Sequence, residues 1–208
     1  MKKLLLAALV GCSFNAAAAD ISFESGIDVL ALNGKSVQNA DSIELPAGEN
    51  QIVIEYSKAL KSGSSKKTYT SKPYVVSIHV ANELDSYKLG IETYRTYELA
   101  KVKFDAGNVE WQVSNNGSPT EYDLELLPGV PGLLPYANIE EAIRLYNKNN
   151  GIVLTSSGAM NINEAAVSVA KDGKITVTGD AVTQLKLWYT KASKEERKEF
   201  RRWMIDQD

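Results

Sequence analysis

The chain has 208 residues, with 23 Lys and Arg against 26 Asp and Glu and a single histidine. A mildly acidic chain with scattered cations disfavours nucleic-acid binding, which needs a basic patch or stripe. One histidine and one cysteine also argue against a multi-histidine or cysteine-rich metal site.

Residues 1–19 have the order of a secretory signal peptide. Two lysines precede an apolar stretch at residues 4–10, and a run of alanines precedes the first acid of the chain, Asp20. A basic start, a short apolar core and an A-x-A-like site are typical of a cleaved signal. The apolar stretch is shorter than the about 20 residues that span a bilayer. We therefore expect cleavage between Ala19 and Asp20 and export to the periplasm.

A lipoprotein signal is the alternative for this segment. Residues 9–12 resemble a lipobox, in which Cys12 would be lipidated and become the mature N-terminus. The apolar run before Cys12 is short for that role, so cleavage after Ala19 is favoured. A chain starting at Asp20 would have 189 residues, a net charge of −5 and no cysteine. Its stability would then depend on its core rather than on disulfides.

Residues 20–127 are predicted to form a β-sandwich, either as one sandwich or as two small β lobes. Apolar residues alternate with polar ones along short stretches, and Pro, Gly and Asn mark turns between them. This period of two is typical of half-buried strands, and many short strands at regular spacing indicate a sandwich. Strands are expected at residues 27–31, 43–45, 52–56, 74–80, 89–93, 101–105, 109–113 and 122–126, with a mobile loop tip at 61–67.

Residues 128–208 are predicted to form a helical region that packs on the sandwich, after a Pro/Gly-rich boundary at 128–132. Asn138 and Glu141 match a capping box, and Gly151 is a typical helix end. Between them, apolar residues recur at helical spacing. The stripe consists of Ile139, Ala142, Ile143 and Tyr146.

Two further helices are expected near the C-terminus. Asp180 can cap the first, and Ser193 with Glu196 forms a capping box for the second. Their aromatic faces should dock on the β portion. Residues 152–180 are either a loose insert or a hairpin around Asp172-Gly173. No later segment is apolar for long enough to span a membrane.

The sequence contains no catalytic constellation. His79 is the only histidine, and neither a G-x-S-x-G turn nor a glycine-rich phosphate loop is present. Asp123 and Glu125 share a strand face and could frame a carbohydrate or a cation, although alternating acids on a strand usually face solvent. We therefore expect a protein that is not an enzyme and that uses no cofactor or metal.

A family resemblance is carried by segments spread along the chain. They lie at residues 27–35, 41–45, 50–55, 71–77, 145–148, 184–189 and 200–203. In this order they resemble a family of uncharacterised exported proteins of gamma-proteobacteria that includes the curli synthesis inhibitor YccT. The resemblance covers most of the mature chain and is weakest at residues 152–180. Separately, the N-G-K turn and the S-I-E-L-x-x-G hairpin resemble PEGA-type β-sandwich modules.

The family resemblance implies a non-enzymatic periplasmic protein that holds amyloid subunits back from polymerising. Curli grow by adding strands to an open edge, and a β protein can cap such an edge by strand addition. The candidate interaction strand carries Tyr74, Val76, Ile78 and Val80 on one face, and an interior strand is the competing interpretation. An alternative partner is a surface polymer or a membrane protein that binds the aromatic-rich β face.

Overall fold

Two β-sheets face each other across one apolar core. The structure is a computed structural model and describes residues 18–155, 158–161, 168–169, 175–176, 182, 185–186, 188–189 and 192–205. The core draws on both sheets, with Ile21 and Leu89 from one and Ile54 and Val76 from the other. The predicted mainly β fold is therefore confirmed, and the β region is one sandwich rather than two lobes.

Sheet A has five strands and sheet B has six. In spatial order, sheet A consists of β10 (Ser118–Pro119), β9 (Trp111–Asn115), β8 (Ser86–Ile91), β1 (Ala19–Phe23) and β4 (Ser42–Leu45). Sheet B consists of β11 (Asp123–Leu126), β7 (Tyr74–Val80), β5 (Gly48–Ser62), β2 (Ile27–Leu32) and β3 (Lys35–Ser36), with β6 (Ser65–Thr70) paired to β5. Strands β1 and β8 are parallel, and the other pairs are antiparallel.

The long strand β5 passes out of the sandwich into a hairpin with β6. Its first half pairs with β2 and β7, and its second half pairs with β6 up to Ser62 and Ser65. The predicted loop tip at 61–67 is therefore wrong, because only residues 63–64 form the turn. Gly63 has φ +58°, which a two-residue hairpin turn of this kind requires. The sequence of β6 is rich in Ser and Lys, which are more typical of loops than of strands, so the strand was not predicted.

A helix, α1 (Tyr97–Asp105), stands where a strand was predicted at residues 101–105. Thr96 caps it, since its side chain accepts the N–H of Leu99 at 3.2 Å. Tyr97 and Phe104 pack on the core and Ala100 is buried, which is a helical spacing. Charged and apolar residues happen to alternate in the last turn, and this short run mimicked the period of a strand.

The helix α2 (Ile139–Asn150) covers the outer face of sheet B. Asn138 accepts the N–H of Glu141 at 3.1 Å, and Gly151 ends the helix at φ 66°, both as predicted. Glu141 does not complete the capping box but binds Arg144 instead. The buried stripe of the helix and the sheet form a second apolar cluster. Its buried members are Ala31, Val53, Val75, Leu127, Ala142, Ile143 and Tyr146.

A buried pair of amides links α2 to β5. The Nε2 of Gln51 donates to Oδ1 of Asn147 at 2.6 Å, and Nδ2 of Asn147 donates to Oε1 of Gln51 at 3.1 Å. Both residues are at most 5% exposed. Because each amide satisfies the other, the pair fixes the position of the helix on the sheet without leaving a polar group unpaired.

The region after α2 contains short hairpins, helical residues at 182, 185–186 and 188–189 where the first C-terminal helix was expected, and one further helix with described bounds. Its strands are β12 (Ile152–Thr155), β13 (Gly158–Asn161), β14 (Ser168–Val169) and β15 (Ile175–Thr176), paired two by two. The helix α3 (Lys194–Ile205) begins at the predicted capping box, since Ser193 and Glu196 exchange hydrogen bonds of 2.7 and 3.2 Å. The predicted cap at Asp180 and turn at Asp172-Gly173 lie outside the described residues.

The aromatic face of α3 was expected to be buried on the sandwich, but it is not. No residue of the helix is buried, and Trp203 is 55% exposed. The ring of Phe200 instead contacts Trp203, with a centroid distance of 5.6 Å, and Tyr189, at 6.1 Å. The outer face of sheet B is covered by α2, and the C-terminal rings pack on one another.

We predict that Asn147→Ala lowers the free energy of unfolding by about 1–3 kcal/mol, because the buried amide of Gln51 would lose its partner. Chemical denaturation followed by circular dichroism measures this change. The control is Asn149→Ala, an exposed position of the same helix, which should change stability by less than about 0.5 kcal/mol. Equal effects of the two substitutions would contradict the role of the amide pair.

Candidate binding site

The strand predicted to bind a partner lies inside sheet B. Strand β7 pairs with β5 along its whole length and with β11 at residues 74–77. Val76, Ile78 and Val80 are at most 1% exposed in the core, and Tyr74 is half-buried. The main chain of residues 74–77 therefore cannot accept another strand, and the competing interpretation of an interior strand is the correct one.

Strand β11 forms the edge of sheet B next to β7. The N–H of Leu127 donates to the carbonyl of Pro73 at 2.9 Å. In an antiparallel pair, every second residue bonds to the neighbouring strand, so this bond shows which residues of β11 face β7. It follows that the N–H and C=O groups of Leu124 and Leu126 point away from β7. Among the described residues these four groups have no hydrogen-bond partner. Strand β11 thus presents an open edge.

Four other edge strands of sheets A and B carry features typical of protected edges. Strand β4 carries Glu44 and runs into Pro46, and β10 contains Pro119. The main chain of β3 donates to the carboxylate of Glu140 at 3.0 Å. The outer edge of β6 begins with Lys66. The edge of β11 differs because its outward groups belong to two leucines.

An aromatic cluster lies beneath this edge and under α1. The ring of Phe104 is at its centre and contacts five other aromatic rings, with centroid distances of 5.3–6.4 Å. These rings belong to Tyr56, Tyr69, Tyr74, Tyr94 and Trp111. The cluster joins the hairpin, the helix and both sheets, because its rings come from β5, β6, β7, α1, β9 and, for Tyr94, the loop before α1.

The phenol groups of the cluster stay protonated at neutral pH. Burial raises the pKa of Tyr69 to about 12. Burial also raises the pKa of Tyr94, whose hydroxyl donates to Glu92 at 2.9 Å. The cluster is therefore an uncharged surface with hydroxyl dipoles.

A cleft opens from the aromatic cluster to the surface beside β11. Its volume is about 550 Å³, within the range of roughly 300–1,000 Å³ typical of ligand pockets. Rings line its floor, Leu124 and Leu126 form one wall, and Lys72 and Asp105 stand at its exposed rim. The lining rings are those of Tyr69, Tyr74, Phe104 and Trp111. The cleft and the open strand edge are therefore one continuous surface, which we call the β11 site.

His79 lies on the outer face of sheet B with a carboxylate partner that the sequence had not indicated. Its Nδ1 is 2.5 Å from Oε1 of Glu49, and both side chains are largely exposed. Residue Glu49 is the cross-strand neighbour of His79 in the β5–β7 pair. A His–Glu pair on an open sheet face lacks the water-excluded surroundings in which preorganised charges stabilise a transition state strongly.

The two acids predicted to share a face have separate partners. Asp123 lines a shallow basin with His79 and Glu49, whereas Glu125 accepts the hydroxyl of Tyr146 at 2.9 Å. Asp123 and Glu125 therefore do not frame one site. Within the described ranges, no group of three or more His, Cys, Asp or Glu side chains could hold a metal ion.

The predicted cleavage site lies at the start of the first strand. Asp20 is exposed to solvent, whereas the side chain of Ala19 is fully buried and its backbone pairs with Leu45. The carboxylate of Asp20 accepts the hydroxyl of Ser86 at 3.3 Å. In the folded chain the Ala19–Asp20 bond is therefore held within sheet A.

No helix in the described part of the chain is long and apolar enough to cross a membrane. A family described as "Uncharacterized protein conserved in bacteria (DUF2057)" matches residues 20–203. The match therefore covers both sheets, α1, α2 and most of α3. Among solved structures, none matches the chain.

Several proteins named UPF0319 are similar to this chain over most of their length. One from Vibrio vulnificus strain YJ016 is 35% identical over 199 residues, which cover 94% of each chain. One from Vibrio cholerae is 28% identical over 226 residues, covering 100% of this chain and 99% of the relative. One from Histophilus somni strain 2336 is 29% identical, covering 98% and 96%.

Proposed function

This chain belongs to the DUF2057 family of uncharacterised bacterial proteins, and we propose that it is a non-enzymatic periplasmic protein that binds an extended segment of a partner protein. The observation that carries the proposal is the open edge of β11. Its four unpaired main-chain groups, on Leu124 and Leu126, can hydrogen-bond to an added strand. The adjoining cleft can take side chains of that strand.

The energetics favour β11 over the other edges. Each main-chain hydrogen bond contributes about 0.5–1.5 kcal/mol net, so four bonds alone give weak binding. Burial of apolar surface in the cleft supplies the rest of the binding free energy, at about 25 cal/mol per Å². The edges of β4, β10 and β3 offer a proline or an acid, and that of β6 offers lysine and threonine, where β11 offers leucines.

The partner that we propose is an amyloid-forming subunit of the curlin type. The proposal is supported by the resemblance to a family that includes a curli synthesis inhibitor. A curlin strand held on β11 is unavailable for addition to a fibril end, where growth needs the same main-chain groups. Capture of free subunits would delay nucleation and lengthen the lag phase of fibrillation.

We predict that the mature protein lengthens the lag phase of purified curlin at equimolar or lower ratios, and that Leu124→Pro weakens this effect. The proline removes an outward N–H that β7 does not use, and its ring obstructs an added strand. Binding should weaken roughly tenfold, about 1.4 kcal/mol. Thioflavin fluorescence measures the lag, and circular dichroism verifies that the variant is folded.

The matched control is Thr68→Pro. It removes an N–H from the outer edge of β6 and should leave the lag effect intact. If Thr68→Pro abolishes the lag effect and Leu124→Pro does not, the partner binds at the edge of β6 and not at β11. An unchanged lag with the wild-type protein would remove curlin as the partner. A photo-crosslinker at residue 126, used in cells, would then identify the captured molecule as a protein or as a surface polymer.

Export to the periplasm is part of the proposal and is supported by the signal-like order of residues 1–19. The family match begins at residue 20, directly after the expected cleavage site. Because the bond after Ala19 is held within sheet A in the folded chain, cleavage would have to precede the docking of β1. This order suits a protein that crosses the membrane unfolded and folds afterwards.

We predict that the protein purified from the periplasm begins at Asp20, as measured by intact mass and N-terminal peptide sequencing. The Ala19→Arg variant should accumulate as the uncleaved precursor, since the site requires a small residue. A mature chain that begins with a lipidated Cys12 would contradict cleavage after Ala19 and would place the protein on a membrane surface.

A further inference from the structure

Several large apolar side chains are exposed near the C-terminus, in residues 182–205, which we call the C-terminal segment. Trp188, Trp203 and Ile205 are 58%, 55% and 76% exposed. The described residues of the segment expose three more such side chains, those of Val182, Leu185 and Met204. Single exposed apolar residues are ordinary on a folded protein, whereas several that lie together mark a contact surface.

The exposed side chains form a continuous apolar face. Leu185, Trp188 and Tyr189 line a groove of about 350 Å³. Phe200 of α3 lines the same groove, and its ring contacts those of Tyr189 and Trp203 at 6.1 and 5.6 Å. All the described residues that line the groove belong to the C-terminal segment. The sandwich therefore contributes no described wall to this face.

Helix α3 carries part of the apolar face on one side and cations beside it. At 3.6 residues per turn, Phe200, Trp203 and Met204 fall within about 100° of the helix circumference. Arg197 and Arg201 follow on the Met204 side of this sector. The helix is therefore amphipathic, with exposed rings and arginines next to each other.

The charge of the C-terminal segment is opposite in sign to that of the rest of the chain. Residues 182–205 contain seven Lys and Arg against three Glu. The remainder of residues 20–208 contains 14 Lys and Arg against 23 Asp and Glu. One of the three acids, Glu196, is engaged at the start of α3, where its carboxylate accepts the N–H of Ser193 at 2.7 Å. The apolar face therefore lies in a region of net positive charge.

We propose that the C-terminal segment binds the surface of a bilayer that contains anionic phospholipids. Its cations meet the lipid phosphates, and Trp203 with its apolar neighbours enters the boundary between headgroups and acyl chains, where amphipathic rings are favoured. Arginine side chains reach the phosphates while their methylene stems cover apolar surface. A second copy of this chain suits the face less well, because it would bring a segment of the same charge against this one. The surface shares no residue with the β11 site.

The test is co-sedimentation of the protein that begins at Asp20 with phospholipid vesicles. One set of vesicles contains phosphatidylcholine alone, and the other also contains about 30% phosphatidylglycerol, whose headgroup is anionic. We expect the partition coefficient to be roughly tenfold higher on the anionic vesicles. It should fall in about 0.5 M salt, which screens the headgroup charge. Equal binding to both sets, or binding to neither, would overturn the proposal.

Reversal of two charges on α3 locates the binding surface. Arg201→Glu with Arg202→Glu should lower the partition coefficient on anionic vesicles by more than about tenfold, because each cation near an anionic surface contributes to binding. The matched control is Lys61→Glu with Lys66→Glu. These lysines are exposed and face each other across the β5–β6 hairpin, so the control makes the same change in net charge outside the segment and should bind as the wild type does. Equal losses in the two variants would contradict a site in the C-terminal segment.

Tryptophan fluorescence reports whether the apolar face enters the bilayer. Lipids brominated in the acyl chains should quench the emission of the wild-type protein. Trp188→Phe with Trp203→Phe should abolish the quenching, since the remaining tryptophan, Trp111, is buried in the sandwich. Circular dichroism verifies that the variants are folded. Quenching that persists in this variant would contradict insertion of the segment. A dimer of the free protein that the Arg201→Glu and Arg202→Glu variant fails to form would assign the face to a second copy instead.

Discussion

Burial of β5 on both faces is the constraint on which the rest of the structure depends. Residues 50–54 are all buried in succession, because one face of the strand meets sheet A and the other meets α2. A strand with two covered faces must be flanked by other strands, and β2 and β7 occupy those positions. The second half of β5 leaves the sandwich and carries the hairpin on which α1 packs.

The position of the β11 site follows from this arrangement. Since β7 is fixed against β5, the next strand outward is the last of sheet B on that side. The chain reaches it directly from sheet A, where Thr120 donates to Val113 at 3.1 Å and Tyr122 donates to the carbonyl of Trp111 at 2.7 Å. This crossing makes β10 the edge strand of sheet A and β11 the edge strand of sheet B. Trp111, whose carbonyl accepts the Tyr122 hydroxyl, is itself a member of the aromatic cluster.

The parts of the fold that depend on local chemistry could be predicted from the sequence. Asn138, Gly151 and the Ser193–Glu196 box act through contacts within a few residues, and the structure has all of them. The period of two likewise indicated the sandwich. Helix α1 was missed because its strongest signal, the Thr96 cap, had no acidic partner at the third helical position, and its last turn alternates like a strand.

The candidate site could not be located from the sequence, because strand order is a long-range property. The run Tyr74–Val80 is the most apolar strand, and apolar runs indicate burial rather than an edge. The useful signal was weaker: Pro119 and Pro128 bracket a short strand of alternating acids and leucines, and prolines are typical of sheet edges.

The main chain of β11 is open on one side, and we propose that a partner binds there. Amide hydrogen exchange at single residues, followed by NMR, tests it most directly. Leu124 and Leu126 should exchange rapidly in the free protein, and Leu127, whose N–H is bonded to Pro73, should exchange slowly. Binding of a curlin subunit should slow exchange at Leu124 and Leu126. Protection of these two amides in the free protein equal to that of Leu127 would contradict an open edge at β11.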